Sequence, residues 1–157
     1  MKNLILTLFA ISMLFSCEKE NLTFQEQLDI DVEIIETYLT TNNITALNEQ
    51  GVYYVIEDEG SGSTYPTSSA LVSMAYSGTV MNGDGTIFDS RTSTNPLKSN
   101  LANLIAGWRV GVPKFKKGGK GKLYIPSGYA YGVFGSGGDI PGNSILIFDV
   151  ELLDFTN

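Results

Sequence analysis

Histidine is absent from this chain of 157 residues, and cysteine occurs once, at Cys17. Without histidine the customary general base is missing, and zinc has too few of its usual nitrogen and sulfur ligands. A single cysteine cannot form an internal disulfide. Clustered positive charge is scarce too. The net charge is −7, with eleven acids against one lysine between Glu18 and Glu59 and near balance from Gly60 onward. Such a chain offers phosphate backbones no cationic surface, which argues against a nucleic-acid partner. Gly83-Asp84-Gly85 and Gly118-Gly119-Lys120-Gly121 lack the strand-to-helix setting of a phosphate loop. Nor does any apolar run reach a comfortable membrane span, since the run from Leu4 to Phe15 is too short for one.

That short run has another use. Lys2 precedes it and Leu14-Phe15-Ser16-Cys17 closes it, a layout that fits a signal segment and resembles a bacterial lipobox. The pattern implies cleavage after Ser16, so that 1–16 is a lipoprotein signal peptide and Cys17 becomes the acylated first residue. A plain secretory signal and a retained anchor are the competing readings. Glu18-Lys19-Glu20 resembles the acidic tether of envelope lipoproteins in the Bacteroidetes.

The remainder is 43% hydrophobic over the whole chain, enough for one domain with an appendage. Leu28, Val32, Ile35 and Leu39 are spaced for one stripe on a helix, with Asp29, Asp31, Glu33 and Glu36 on the rest of its surface. Thr23 and Glu26 form a potential capping box, and Asn42-Asn43 ends the pattern. The stripe is expected to dock on the domain or on a second copy, with a dedicated partner helix as the alternative. From Gly51 the period becomes two. Strands are expected at Val52–Ile56, Ser69–Met81, Gly121–Pro126 and Ile145–Leu153, with a hairpin turn at Asn82-Gly83-Asp84-Gly85. Ile105, Trp108 and Val112 place a short helix over Leu104–Gly111, ended by Pro113. Lys114, Lys116, Lys117, Lys120 and Lys122 read as a solvated edge. The expected class is α+β, with a curved antiparallel sheet wrapped on a short helix and preceded by an amphipathic helix. The divisions are 17–50 for tether and helix and 51–157 for the domain.

Aromatic residues recur in an ordered series: Tyr76-Ser77-Gly78, Phe88-Asp89-Ser90, Ile105-Ala106-Gly107-Trp108, Tyr129-Ala130-Tyr131-Gly132, Ile140-Pro141, and Leu146-Ile147-Phe148-Asp149-Val150-Glu151-Leu152-Leu153. This series, from about Val52 to Phe155, resembles the FKBP-type peptidyl-prolyl cis-trans isomerases. The lipobox, the acidic helix and Tyr38-Leu39-Thr40-Thr41-Asn42-Asn43-Ile44 resemble its envelope lipoprotein branch, which includes gliding-motility-associated members.

The resemblance implies a pocket lined by Tyr76, Phe88, Leu97, Leu104, Ile105, Trp108, Tyr131, Ile140 and Phe148, with Trp108 as floor. Asp89 would stand at the rim, held by the Tyr76 hydroxyl. Tyr131 and the Ile105 N–H would each donate to a substrate carbonyl. Leu97 departs from the aromatic residue often found at its position, and Ser136 stands in a loop where some members carry histidine. The implied partners are proline-containing polypeptide clients, with the family's macrolide ligands as further occupants, and no cofactor or metal. The implied reaction is rotation about Xaa-Pro bonds with no covalent bond broken. A proline-peptide-binding chaperone module with little turnover is the alternative, and a scaffold lipoprotein using its acidic helix is a third.

Overall fold

Thr23 and Glu26 make a reciprocal cap at the start of the first helix. In the computed structural model, which describes residues 22–157, the Glu26 N–H donates to Thr23 Oγ1 at 3.3 Å and the Thr23 N–H donates to Glu26 Oε2 at 2.9 Å. Two amides at the helix start thereby gain partners. Helix α1 runs Phe24–Thr41 and ends on Asn42, whose N–H reaches the Tyr38 carbonyl. The signal segment and Cys17 lie outside the described residues.

The buried row of α1 differs from the expected stripe. Asp31, Ile35 and Leu39, each four residues apart, are buried, while Leu28 and Val32 are half-buried at the margin. Asp31 was expected on the surface, yet it is 1% exposed. Its oxygens accept from Gln27 Nε2 at 2.8 Å, the Ser127 N–H at 2.7 Å and Ser127 Oγ at 2.6 Å. Three donors replace the water that a buried carboxylate would otherwise lack.

Seven strands follow: β1 Leu47–Glu49, β2 Val52–Asp58, β3 Leu71–Val80, β4 Ile87–Arg91, β5 Leu97–Asn100, β6 Lys120–Ile125 and β7 Leu146–Thr156. All pairings are antiparallel, in the order β1-β2-β6-β7-β3-β4, with β5 also on β3. The β3–β4 turn uses Asn82 and Gly85, both at positive φ (60° and 84°). Strands β1 and β5, three and four residues long, are too short to display an alternation that sequence could reveal.

Helix α2 spans Ala106–Gly111, two residues shorter at its start than expected, because Ile105 is its N-cap with ψ 149°. Pro113 does not stop the chain's winding. It sits in the opening turn of a 3₁₀ segment, Val112–Lys114, where a missing N–H costs nothing.

Strand alternation divides the core into two layers. On one face Val52, Val72, Met74, Leu123, Ile125, Leu146, Phe148, Val150 and Leu152 pack with Trp108 and Val112 from the α2 region. On the other face Tyr53, Tyr124 and Ile145 meet Ile35 and Leu39 of α1. The first helix therefore docks on its own chain's sheet.

The five lysines keep solvent contact as expected, but two of them do not stand at an edge. Lys120 and Lys122 lie on β6, an interior strand, directly across from Glu151 and Asp149 of β7. Each pairs with that carboxylate, while Lys114, Lys116 and Lys117 pair with Glu49, Glu59 and Asp154. Cross-strand opposite charges explain why cations stand inside the sheet.

Candidate active site

A hollow of about 240 Å³ opens between the sheet and the start of α2, lined by Tyr76, Phe88, Asp89, Arg91, Leu97, Leu104, Ile105, Trp108, Tyr131 and Phe148. Six separate pieces of chain supply these side chains. Tyr76 comes from β3; Phe88, Asp89 and Arg91 from β4; Leu97 from β5. Leu104 and Ile105 precede α2, Trp108 lies on it, Tyr131 sits in the β6–β7 connection, and Phe148 is on β7.

Edge-to-face ring contacts hold the hollow open. The Trp108 ring lies 4.9 Å from Tyr76 at 89° and 5.3 Å from Phe148 at 88°, and Phe88 meets Phe148 at 5.7 Å and 90°. Perpendicular rings set the positive edge of one against the negative face of another, which favours a walled cavity over a collapsed stack. Gly78 makes the arrangement possible. A Cβ there would lie 2.6 Å from both the Phe148 and the Phe88 rings.

Trp108 is 3% exposed, and its indole N–H is buried with no hydrogen-bond partner among the described residues. Phe148 is equally buried, Phe88 half-buried, and Tyr131 38% exposed at the mouth. The polar groups are few and grouped. The Tyr76 hydroxyl donates to Asp89 Oδ2 at 2.5 Å, and Arg91 stands 3.7 Å from Asp89 Oδ1. Burial raises the Tyr76 phenol above its ordinary range, and the Asp89 hydrogen bond and charge add to the rise. Burial followed by the Asp89 charge raises Tyr131 as well. Both phenols therefore stay protonated, as hydroxyl donors, throughout the neutral range.

Two donors point to the functional chemistry. The Tyr131 hydroxyl has no partner among the described residues, and the Ile105 N–H takes no backbone acceptor. An N-cap amide is free of intrahelical bonding, so the amide is as available at this position as it would be within the first turn. An aromatic hollow with a polar rim and two free donors can hold a planar or twisted amide by its carbonyls.

Nine of the ten candidate residues come together here. Ile140 does not line the hollow. It is 7% exposed and packs in the core, and its carbonyl accepts from the Ser136 N–H while its own N–H donates to the Ser136 carbonyl. Its side chain therefore belongs to the core, and its backbone ties the β6–β7 connection to Ser136. Arg91 was missed. Its only signal in the sequence was its alternation with Asp89 along a strand, which puts both on one face.

The comparisons with known proteins agree with this geometry. The sequence pattern of the FKBP-type peptidyl-prolyl cis-trans isomerases matches residues 62–153. FK506-binding protein 1 of Saccharomyces cerevisiae is 46% identical over 97 residues, covering 60% of this chain and 83% of that protein. The FKBP-type isomerase FkpA of Escherichia coli is 47% identical over 105 residues, or 66% of this chain and 37% of that protein. Among solved structures, FkpA of Escherichia coli superposes with a TM-score of 0.67 at 36% identity, covering 84% of this chain and 64% of the other. A peptidyl-prolyl cis-trans isomerase from Pseudomonas syringae gives 0.68 at 26% identity, covering 87% and 98%. Fold, ordered aromatic series and matched sequence coincide in one region, and the chain belongs to the FKBP-type peptidyl-prolyl cis-trans isomerase family.

Proposed function

We propose that this hollow catalyses rotation about Xaa-Pro bonds of polypeptide clients by binding the twisted amide more tightly than the planar one. The observation that carries the proposal is the convergence of nine candidate residues from distant parts of the chain on one small apolar cavity. The uncatalysed barrier of about 18–20 kcal/mol arises from amide resonance. Near 90° of twist that resonance is lost, and with it much of the charge separation on the amide. A water-poor cavity penalises the planar form more than the twisted one, which is differential binding with no group transferred.

In this reading Trp108 is the floor for the proline ring, with Phe88, Phe148, Leu97, Leu104 and Tyr76 as walls. The Tyr131 hydroxyl and the Ile105 N–H hold two client carbonyls and fix the chain on one side of the rotating bond. Asp89, held by Tyr76 and paired with Arg91, keeps the rim polar without transferring a proton. The test is the isomerisation rate of a short Xaa-Pro peptide with the full chain. Acceleration at micromolar protein is expected; its absence, with saturable peptide binding, would favour the chaperone-module alternative.

The finer placement of the protein rests on its N-terminal sequence. Residues 1–16 form the lipoprotein signal peptide, Cys17 carries the lipid, 17–50 hold tether and helix, and 51–157 form the isomerase domain. The lipobox and the acidic tether support a lipid-anchored envelope protein of the gliding-motility-associated type, with envelope proteins as clients. Several acyl chains, at about 0.8 kcal/mol per buried CH₂, suffice for firm anchoring. Cys17→Ser is expected to move the protein from the membrane to the soluble fraction. Retention of that variant in the membrane would remove the anchor.

A further inference from the structure

Helix α1 lies outside the region that matches the family pattern, yet it grips the loop that carries Tyr131. The contact is specific. Strand β6 ends at Ile125, the buried Pro126 follows, and a 3₁₀ turn, Ser127–Tyr129, leads through Ala130 to Tyr131. At the head of that turn the Ser127 N–H and Oγ both donate to Asp31 Oδ2, at 2.7 and 2.6 Å, and both residues are at most 1% exposed. Gln27 Nε2 donates to the other Asp31 oxygen, so the carboxylate is held from both sides.

A second contact closes the same joint. The Phe24 ring meets the Tyr129 ring edge-on at 5.6 Å, and a Cβ on Gly128 would stand 2.7 Å from Phe24, so the helix and the loop approach as closely as a glycine allows. Beyond Tyr131 the connection is open to solvent. Val133 is 63% exposed and Phe134 94% exposed. The turn Ser127–Tyr129 is therefore the packed base of a loop whose outer half lies in water.

We propose that Asp31 is a positioning residue for the isomerase site, holding the base of this loop so that the Tyr131 hydroxyl stays over the cavity. A buried carboxylate with three donors, and no cation on it among the described residues, costs more to bury than an apolar residue in that row would. An apolar side chain at position 31 would extend the buried row of Ile35 and Leu39. It would also leave the Ser127 N–H and hydroxyl without their acceptor.

The proposal rests on the isomerase reading above, and the experiment separates the two. Rates with an Xaa-Pro peptide are compared for the full chain and for Asp31→Ala, Tyr131→Phe and the double variant, with amide hydrogen exchange of 127–131 followed in parallel. If Asp31 acts through Tyr131, Asp31→Ala lowers kcat/KM by about two- to tenfold, the worth of one hydrogen bond. The same substitution then changes little in the Tyr131→Phe background, because the interaction it maintains is already gone. Asp31→Asn, which keeps an acceptor for Ser127, restores most of the loss, and exchange at 127–131 rises only in the alanine variant. Equal losses in both backgrounds, or an unchanged rate in a folded Asp31→Ala chain, overturn the positioning role. Should Asp31→Ala not fold, Ser127→Ala replaces it in the cycle, with the same additive result counting against the proposal. An unsubstituted chain that fails to accelerate isomerisation overturns the reaction itself, and the catalytic role of the clamp with it.

Discussion

At the scale of single residues, the site divides into rings that make the cavity and donors that orient what enters it. Tyr131→Phe removes one hydroxyl, worth about 0.5–1.5 kcal/mol, so kcat/KM is expected to fall by about two- to tenfold. Phe88→Ala opens a wall. Its ring is half-buried, so the loss belongs in the lower part of the about 3–5 kcal/mol range for buried phenylalanines. That figure is a loss of folding stability; because the ring also walls the cavity, the fall in kcat/KM should exceed that of Tyr131→Phe, and a peptide isomerisation assay on folded variants giving the reverse order would mean that the hydroxyl, not the wall, dominates. Gly78 offers a stricter test. Its added methyl would press on both Phe88 and Phe148, and overpacking of this kind costs about 1–3 kcal/mol. Gly78→Ala is expected to cut kcat/KM by about tenfold or more while thermal unfolding shows a folded protein. An active Gly78→Ala enzyme would show that the rings can move apart without harm. Arg91 and Asp31 are the residues that sequence reasoning did not reach. Asp31 acts through Ser127, 96 residues away, which neither type nor spacing announces; Arg91 stands two residues from Asp89 on β4, a spacing that sets the shared face but not the cavity it borders.

At the scale of elements, α1 has the most to explain, because its buried row contains a carboxylate. Helical periodicity located α1, and the Thr23–Glu26 box marked its start. The exact face was wrong by about one residue, since a buried Asp31 reads as polar surface until Ser127 is beside it. The cap is a direct handle on the element. Thr23→Ala is expected to cost about 1 kcal/mol, within a range of about 0.5–2. In urea the midpoint should fall while the slope stays constant. An unchanged midpoint would mean that packing on the sheet and on Ser127–Tyr129 holds the helix without its cap. Helix α2 shows the opposite case: its apolar spacing was legible, but the start moved to Ala106 because Ile105 takes an extended conformation to cap it.

For the molecule as a whole, the sheet carries a helix on each face, and each layer buries tyrosines. Tyr53, on the α1 side, is pushed up to about 12 by burial first and by its hydrogen bond to Glu36 second. Tyr124, in the same layer, is also raised to about 12, with burial the main cause. On the cavity side Tyr76 is raised by burial and by Asp89. A phenol raised in the folded state binds its proton more tightly there than in the unfolded chain. Its contribution is complete below the unfolded value of 10.0 and is lost as pH climbs from there through the folded values near 12. Stability to urea should accordingly hold steady from pH 8 to about 10 and fall steeply above it. Stability that stayed flat to pH 12 would show that these phenols titrate alike in both states.

The sequence by itself determined the class of chemistry, the existence of both helices and the main strands, and the aromatic series of the site. These are properties of residue type, period and order, which the chain carries before it folds. Only the tertiary structure decided that Ile140 packs in the core rather than in the cavity wall, that Lys120 and Lys122 stand on an interior strand opposite acids, and that Asp31 is buried against Ser127. Those outcomes depend on which side chains meet across 96 residues of chain, or across a strand register. A polar side chain's place is set by the partner it finds, whereas an apolar one needs only to leave water.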